Sequence, residues 1–347
     1  MLFTTVAAGL CFIVFPLQFS LPKPMTDGSV LDYSFQFLKV FDSPFNQSPS
    51  LHIAYAFIFW TVFRNFTKFR IFLMLWLIVL GISTLTTYQH HFIDILSGTV
   101  LAHISFMVFP YRKNDFQYRN FQVANFYFLF GWILISASIL INQFYGHFWL
   151  IILWPAAMAI IIGYQYQKNN VHLLKDKNGN ISWWKKIFYA PYLMIYWTFW
   201  KFLRKNKKPL AIAPRIYISS RPGLEDLRHF EISRNTLIYD LSAEMEEIQD
   251  LKKKSSYHSV PFLDIGTLDI DQTKKLVTEI TENYKILSAD GKIFIHCTMG
   301  FTRSSVIGIL VMKNILSLPI DEAVNTMTGI HKNAVIHPYL KDFLKKI

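Results

Sequence analysis

Lys292-Ile-Phe-Ile-His-Cys-Thr-Met-Gly-Phe-Thr-Arg-Ser-Ser305 carries the fold of the second half of this chain. Ile293 to Ile295 is an apolar run of the kind that forms a buried strand, and Ser304 to Val311 has the apolar content of a buried helix. Between them Cys297 and Arg303 flank the residues Thr298, Met299, Gly300, Phe301 and Thr302. A loop of this length entering a helix amino terminus points successive backbone N–H groups inward and binds anions. Arg303 adds a guanidinium that can grip a phosphate through two parallel bonds. The same positive field favours a thiolate at Cys297, and so a nucleophile at neutral pH. Ser304 is placed to hydrogen-bond the sulfur and help it leave.

His296-Cys297-x-x-Gly300-x-x-Arg303-Ser304 resembles the signature loop of the cysteine-dependent, dual-specificity class of protein tyrosine phosphatases. The resemblance extends over 210–347 and implies an α/β domain with a central, mostly parallel sheet flanked by helices. Strands are expected at Arg215–Ser219, Thr236–Leu241, Ser259–Leu263 and Lys292–His296. It also implies a phosphocysteine intermediate and an acid that protonates the leaving oxygen, then activates water. Family members place that aspartate just after the third strand, where Val260-Pro-Phe-Leu-Asp264 stands. Asp269 and Asp271 compete with Asp264, but suit a loop and a helix cap better. His296 is expected to orient the loop by hydrogen bonding, and Glu244, Glu246 and Glu247 to form a solvated face. Members specialised for multiply phosphorylated inositol headgroups often carry lysines inside the loop. Here Thr298, Met299, Phe301 and Thr302 are uncharged, which favours a substrate with one or few phosphates.

The composition divides the chain. Of 347 residues, 52% are hydrophobic, 17% aromatic and only 17% charged, where a soluble protein carries about 25% charge. A membrane component is therefore expected. Residues 1–166 hold 8 Lys+Arg and 5 Asp+Glu, whereas 167–347 hold 27 and 18. Seven basic residues and no acid fall within 185–208, a cluster suited to an anionic membrane surface rather than to nucleic acid. Cys11 and Cys297 are the two cysteines, so no disulfide framework is available.

Apolar segments at 1–20, 50–66, 71–88, 92–110, 122–142 and 147–166 approach the length a bilayer requires. The first lacks the cationic start and small-residue cleavage site of a signal peptide. Basic connections (Arg64, Lys68 and Arg70; Arg112, Lys113 and Arg119; from Lys168 onward) alternate with nearly neutral ones. The basic set should be cytoplasmic. At the opposite ends stand Pro49-Ser50-Leu51-His52, with Pro49 suited to a first helical turn, and Ser83-Thr84 followed by His90 and Asp94. On a helix, His90 and Asp94 share one face. The carboxylate would hold the imidazole tautomer, with His52 approaching from a neighbouring helix as proton donor. His91 would lie off that face.

Pro-Ser-x-His and Ser-x6-His-x3-Asp resemble motifs of the type-2 phosphatidic acid phosphatase superfamily. The resemblance implies a phosphohistidine on His90, oriented by Asp94, with His52 donating the proton. Thr84 stands where the phosphatases carry an arginine, and the first motif is reduced to Lys23-Pro24, leaving Lys23 as its candidate phosphate ligand. These departures are similar to the inositol-phosphorylceramide synthase-like branch, which transfers a phosphate headgroup. Only segment 1–20 precedes the second motif, where members have two helices.

Residues 187–203 are apolar and aromatic, with Lys185-Lys186 before them and Arg204, Lys205, Lys207 and Lys208 after. Basic flanks on both sides, abundant Trp and Tyr, and Pro191 favour an interfacial helix over a crossing. The expected order is thus an all-α polytopic membrane bundle (1–166), a basic aromatic connector (167–209) and an α/β phosphatase domain (210–347). The expected activity is hydrolysis of phosphomonoesters without metal or cofactor. Its substrate would be a phosphorylated lipid first and a phosphoprotein second, with membrane lipids as partners. A non-catalytic membrane anchor is the alternative for the first half. The fused arrangement resembles bacterial inner-membrane proteins with the second domain cytoplasmic.

Overall fold

The computed structural model describes residues 1–20, 33, 36–37, 45–66, 68–110, 116–204 and 208–347. Lys23, Pro24, Arg112, Lys113, Lys205 and Lys207 lie outside the described residues. The chain divides into two compact units, Met1–Tyr111 with Asn125–Ile160, and Arg112–Ala124 with Ile161–Ile347. Residues 167–209, expected as a connector, fall within the second unit.

The first unit is helical. Its elements are α1 (Leu2–Val14), α2 (Leu51–Phe63), α3 (Arg70–Thr86) and α4 (Phe92–Val108), with parts of α5 (Arg119–Tyr145) and α6 (Leu153–Gln167). The helical runs Phe116–Tyr145 and His147–Gln167 are long and apolar enough to cross a membrane, with mean hydropathies of 1.9 and 1.8. The segments at 1–20 and 50–66 form helices of 13 residues each, roughly 20 Å long against a hydrocarbon core of about 30 Å. Small side chains (Ala8, Ala54, Ala102) make the contacts among α1, α2 and α4, which lets helix backbones approach closely. A Cβ on Gly98 would collide with the Ser50 carbonyl oxygen. That glycine therefore sets the distance between α4 and the start of α2. Pro49 stays outside the helix it was expected to open. Ser50 is the cap and donates its N–H to the Asp94 carbonyl at 3.1 Å.

The second unit is built on a five-stranded sheet: β1 (Leu210–Ala213), β2 (Ile216–Ser220), β3 (Thr236–Ser242), β4 (Ser256–Phe262) and β5 (Lys292–Cys297). The order is β1-β2-β5-β3-β4, parallel throughout except for β1 with β2. β1 is not expected from the sequence, because four residues joined to β2 by a tight turn give little periodic signal. Side chains on β5 alternate between two cores. Ile293 and Ile295 enter the larger one with Ile218, Leu241 and Ile307, while Phe294 enters a second with Phe230, Ile238 and Leu251. Burial on both faces explains why β5 reads as an unbroken apolar run.

After β5 comes α11 (Arg303–Leu316), buried from Arg303 to Met312. The remaining helices are α7 (Trp183–Phe188), α8 (Ala190–Leu203), α9 (Gln249–Lys254), α10 (Ile270–Lys285), α12 (Ile320–Ile330) and α13 (Pro338–Leu344). Asp269 caps α10 by accepting the Gln272 N–H at 2.8 Å, which assigns that carboxylate to the helix terminus.

Candidate active site

Cys297 ends β5, and Arg303 opens α11, so the intervening turn spans the carboxyl end of the central strand. Gly300 makes the turn possible. Its φ is +79°, and a Cβ there would meet the Ser220 backbone nitrogen at 2.6 Å, a conformation and a spacing that only glycine tolerates. The loop curls around the sulfur: the Gly300 N–H points to Cys297 Sγ at 3.3 Å, and Ser304 Oγ lies 3.6 Å from it. Its outer side is tied down by His331 Nε2, which donates to the Gly300 carbonyl at 2.8 Å, and by the Val335 N–H on the Phe301 carbonyl at 3.1 Å. Burial pushes the His331 imidazole below its ordinary value, against the pull of that backbone hydrogen bond.

The Arg303 guanidinium is almost fully enclosed. Nη1 donates to both carboxylate oxygens of Glu244 at 3.0 Å and to the Phe262 carbonyl at 2.8 Å. Nη2 reaches Thr298 Oγ1 at 3.3 Å and Asp264 Oδ1 at 3.1 Å. Burial alone would pull this guanidinium down, but Glu244 and then Asp264 outweigh it and hold it well above its ordinary value. Burial has the opposite sense on Glu244, whose carboxyl is pushed up with help from the Asp264 charge and against Arg303. Glu244 is 1% exposed and Glu247 3%, which corrects the expectation of a solvated acidic face at these two positions, while Glu246 is half-buried. A charge is buried here because each has a partner across the sheet, a relationship that local spacing does not encode.

Asp264 follows β4 on a segment fixed from several directions. Its carbonyl accepts the Tyr166 hydroxyl at 2.9 Å, and its Oδ2 accepts the Tyr196 hydroxyl at 3.2 Å. The next residues are held by Arg119 Nε on the Ile265 carbonyl at 2.8 Å and by the Thr267 N–H on Asn120 Oδ1 at 2.7 Å. Ile265 has φ +56°, a costly conformation for a β-branched residue that such ties sustain. The structure thus brings Cys297, Arg303, Asp264, Ser304, Thr298 and Gly300 together. Met299, Phe301 and Thr302 complete the loop, with the Phe301 carbonyl also accepting Ser305 Oγ at 2.9 Å.

Behind the loop lies a buried polar cluster. His296, fully buried, faces Glu247 Oε2 at 3.2 Å through Nε2 and Asp240 Oδ1 at 3.8 Å through Nδ1. Neither contact has hydrogen-bond geometry, so the expected loop-orienting hydrogen bond is not made and the imidazole lies between two buried carboxylates. Lys175 Nζ sits 2.6 Å from Asp240 Oδ2 and 2.7 Å from the Ser242 carbonyl, and Tyr257 donates to the same Asp240 oxygen at 2.7 Å. Burial pushes the Asp240 carboxyl up, but Lys175, followed by His296, brings it down to about 2. Donor atoms of Asp240, Glu247 and His296 lie within 4.8 Å of one another, the spacing a metal ion would need. The Lys175 ammonium already supplies a cation there.

In the first unit His52, His90 and Asp94 also converge. His52 Nδ1 is 3.4 Å from His90 Nε2, and His90 Nδ1 is 3.8 Å from Asp94 Oδ2. His90 precedes α4 rather than sitting on it, and Asp94 Oδ2 accepts the His91 N–H at 2.7 Å. Thr84 turns its hydroxyl onto the Gly81 carbonyl at 2.8 Å, while its own carbonyl accepts the His90 N–H at 3.0 Å. Its carbonyl thus holds the backbone of His90 in place.

A family model described as the PAP2 superfamily matches residues 1–108. Tyrosine-protein phosphatase MSG5 of Saccharomyces cerevisiae is 24% identical over 128 residues, covering 36% of this chain and 24% of the relative. The chain thus spans about a quarter of that relative's length. Solved structures similar to it include Tk-PTP in the active form (20% identity, 40% of this chain and 95% of that one, TM-score 0.34) and human DUSP28 (14%, 41% and 94%, TM-score 0.34). PTPMT1 in complex with PI(5)P is another (13%, 40% and 92%, TM-score 0.35). The chain joins an amino-terminal helical region that matches the PAP2 superfamily to a carboxyl-terminal α/β half similar to the tyrosine and dual-specificity phosphatases.

Proposed function

We propose that the second unit hydrolyses phosphomonoesters, preferably of a phosphorylated lipid, through a phosphocysteine on Cys297. The observation that carries this is one constellation: the Cys297 sulfur under the Gly300 N–H and Ser304 hydroxyl, with Arg303 and Asp264 converging in front of it. The Cys297 thiolate attacks phosphorus as the bond from phosphorus to the ester oxygen breaks. Asp264 gives its proton to the departing oxygen. The loop N–H groups and Arg303 bind the phosphoryl oxygens, whose charge is greatest in the transition state. Water then attacks the phosphocysteine, passing a proton to Asp264, and Ser304 hydrogen-bonds the sulfur as the S–P bond breaks. Glu244 anchors Nη1 of Arg303, while Nη2 lies beside Asp264 and Thr298.

The first unit is proposed to hold a second phosphoryl site on the opposite membrane face, with His90 as nucleophile, Asp94 orienting it and His52 as proton donor. Clustering of the two imidazoles with the carboxylate supports this reading. The orientation of basic connections supports a cytoplasmic second unit, and a bacterial inner membrane is the proposed setting. Phosphate release from solubilised protein, measured across lipid phosphates and phosphopeptides, tests both sites. Cys297→Ser and His90→Ala should each remove a different activity. Release unchanged in Cys297→Ser overturns the phosphocysteine reading. Release unaffected by His90→Ala on every substrate leaves the first unit as an anchor.

A further inference from the structure

α8 has two unlike faces. Tyr192, Tyr196 and Trp200 recur every fourth residue and are buried, as one stripe of a helix packed on a domain must be. Two of them reach the catalytic half directly: Tyr196 donates to Asp264 Oδ2 at 3.2 Å, and Trp200 Nε1 donates to the Arg221 carbonyl at 2.9 Å. The Arg221 N–H in turn donates to the Cys297 carbonyl at 2.7 Å. The opposite face exposes Met194 (67%), Ile195, Trp197 and Phe202 (72%), far more apolar surface than a helix on a water-facing domain presents.

We propose that this outer face docks on an anionic lipid surface, while the inner-face Tyr196 holds the Asp264 carboxyl over the Cys297 loop. Three observations select lipid as the occupant. No acidic residue interrupts 185–208, Lys201 is exposed in the last turn of the helix, and Lys208, beyond it in the chain, is exposed as well. Lys201 Nζ lies over the Trp197 ring at 4.8 Å, an arrangement of aromatic body and cationic tip that suits the headgroup layer. A protein partner would select against lysine at its contact. Finally, the helical run His147–Gln167, long and apolar enough to cross a membrane, ends shortly before α7 in the chain. Anionic lipid would thus raise turnover by fixing the helix that positions the acid, and a substrate embedded in that surface would reach the loop without leaving it. Tyr196 is a positioning residue. This role rests on the phosphocysteine reading above, whereas lipid docking does not.

The test uses the full chain in nanodiscs of phosphatidylcholine, with or without phosphatidylglycerol. A fluorophore on Phe202→Cys, in a Cys11→Ser/Cys297→Ser background, should be quenched by spin-labelled lipid. The same fluorophore on Lys274→Cys, exposed on α10, should not. Equal quenching at the two positions overturns docking, as does disulfide cross-linking of Phe202→Cys to a second copy. In the active protein, phosphatidylglycerol should raise phosphate release several-fold. Trp197→Glu/Phe202→Glu should lose that rise while matching wild type on p-nitrophenyl phosphate in detergent; retention of the rise refutes the proposal. Tyr196→Phe should lower kcat about tenfold on phenyl phosphate and less on p-nitrophenyl phosphate, whose leaving group needs little protonation, with KM unchanged. An equal loss on both substrates, or none, removes Tyr196 from the acid's positioning. Activity surviving Cys297→Ser would instead sink the phosphocysteine reading and leave the quenching result standing.

Discussion

Replacing Lys175 with methionine removes the cation from a buried pair and keeps the length of its stem. Asp240 would then retain the Tyr257 hydroxyl and the Ser242 N–H, at 2.7 and 2.9 Å, but lose the ammonium at 2.6 Å. Both partners are essentially inaccessible, at 0% and 1% side-chain exposure. Breaking such a pair from one side costs about 3–5 kcal/mol, because a charge is left buried. That corresponds to roughly 10 °C in melting temperature for a unit of this size. The pH dependence should change sign as well. In the wild type the Asp240 carboxyl is held at about 2, below its ordinary 3.8. Its contribution, about 2 kcal/mol, is therefore present above pH 4 and lost as pH falls toward 2. Without Lys175 only His296 and the Tyr257 hydrogen bond oppose burial, and the folded-state value should rise above the unfolded one. The contribution then belongs to acid pH and is lost as pH climbs through the raised value. Thermal unfolding of solubilised protein, followed by near-ultraviolet circular dichroism from pH 2 to 8, measures both effects. Lys175→Met/Asp240→Leu should recover at least half of the loss. A single variant melting within about 1 °C of wild type at pH 7, with the same pH slope, would refute the reasoning.

Glu244→Gln should raise KM about tenfold, since a neutral amide fixes the guanidinium less firmly than a carboxylate spanning both oxygens; steady-state kinetics on a soluble phosphomonoester checks this. Gly300→Ala forces a Cβ against Ser220 and a side chain into positive φ. It should cost about 1–2 kcal/mol in melting experiments and lower kcat far more than that destabilisation explains. His331 is held below its ordinary 6.5 by burial, so it contributes stability above that pH that is lost as pH falls through its folded value. His331→Gln should keep a donor to the Gly300 carbonyl while flattening that acid limb, read as melting temperature between pH 5 and 7.

The strand, loop and helix around Cys297 were legible because their whole logic is local: an apolar run, a glycine, an arginine at a helix start. His90 and Asp94 are close enough in the chain for spacing to pair them, whereas Asp264 and His52 enter the sequence reading through the family resemblances. What holds these residues was not legible. Glu244 reads as one of several acids in a polar stretch until β3 and α11 bring it against Arg303. Lys175 lies in a segment that looks like a linker, and its burial depends on Asp240, a partner far along the chain. Arg119 reads in the sequence as a charge marking membrane orientation, yet its side chain ties down the Ile265 carbonyl. Tyr196 looked like one aromatic among many on an interfacial helix, and only the buried stripe on α8 singles it out. Such long-range polar pairings leave no periodic trace in the sequence.

The place of β5 has a consequence for how the enzyme comes into being. β5 lies between β2 and β3, strands made earlier that do not pair with each other. During synthesis β2 and β3 therefore wait with open edges until Lys292–Cys297 has emerged and inserted between them, and such non-local pairings form slowly. His331, which pins the loop, is made later still. The loop around Cys297 is thus assembled among the last parts of the chain, after the apolar helices of the first unit. The consequence is a period in which unpaired apolar strands need protection from aggregation.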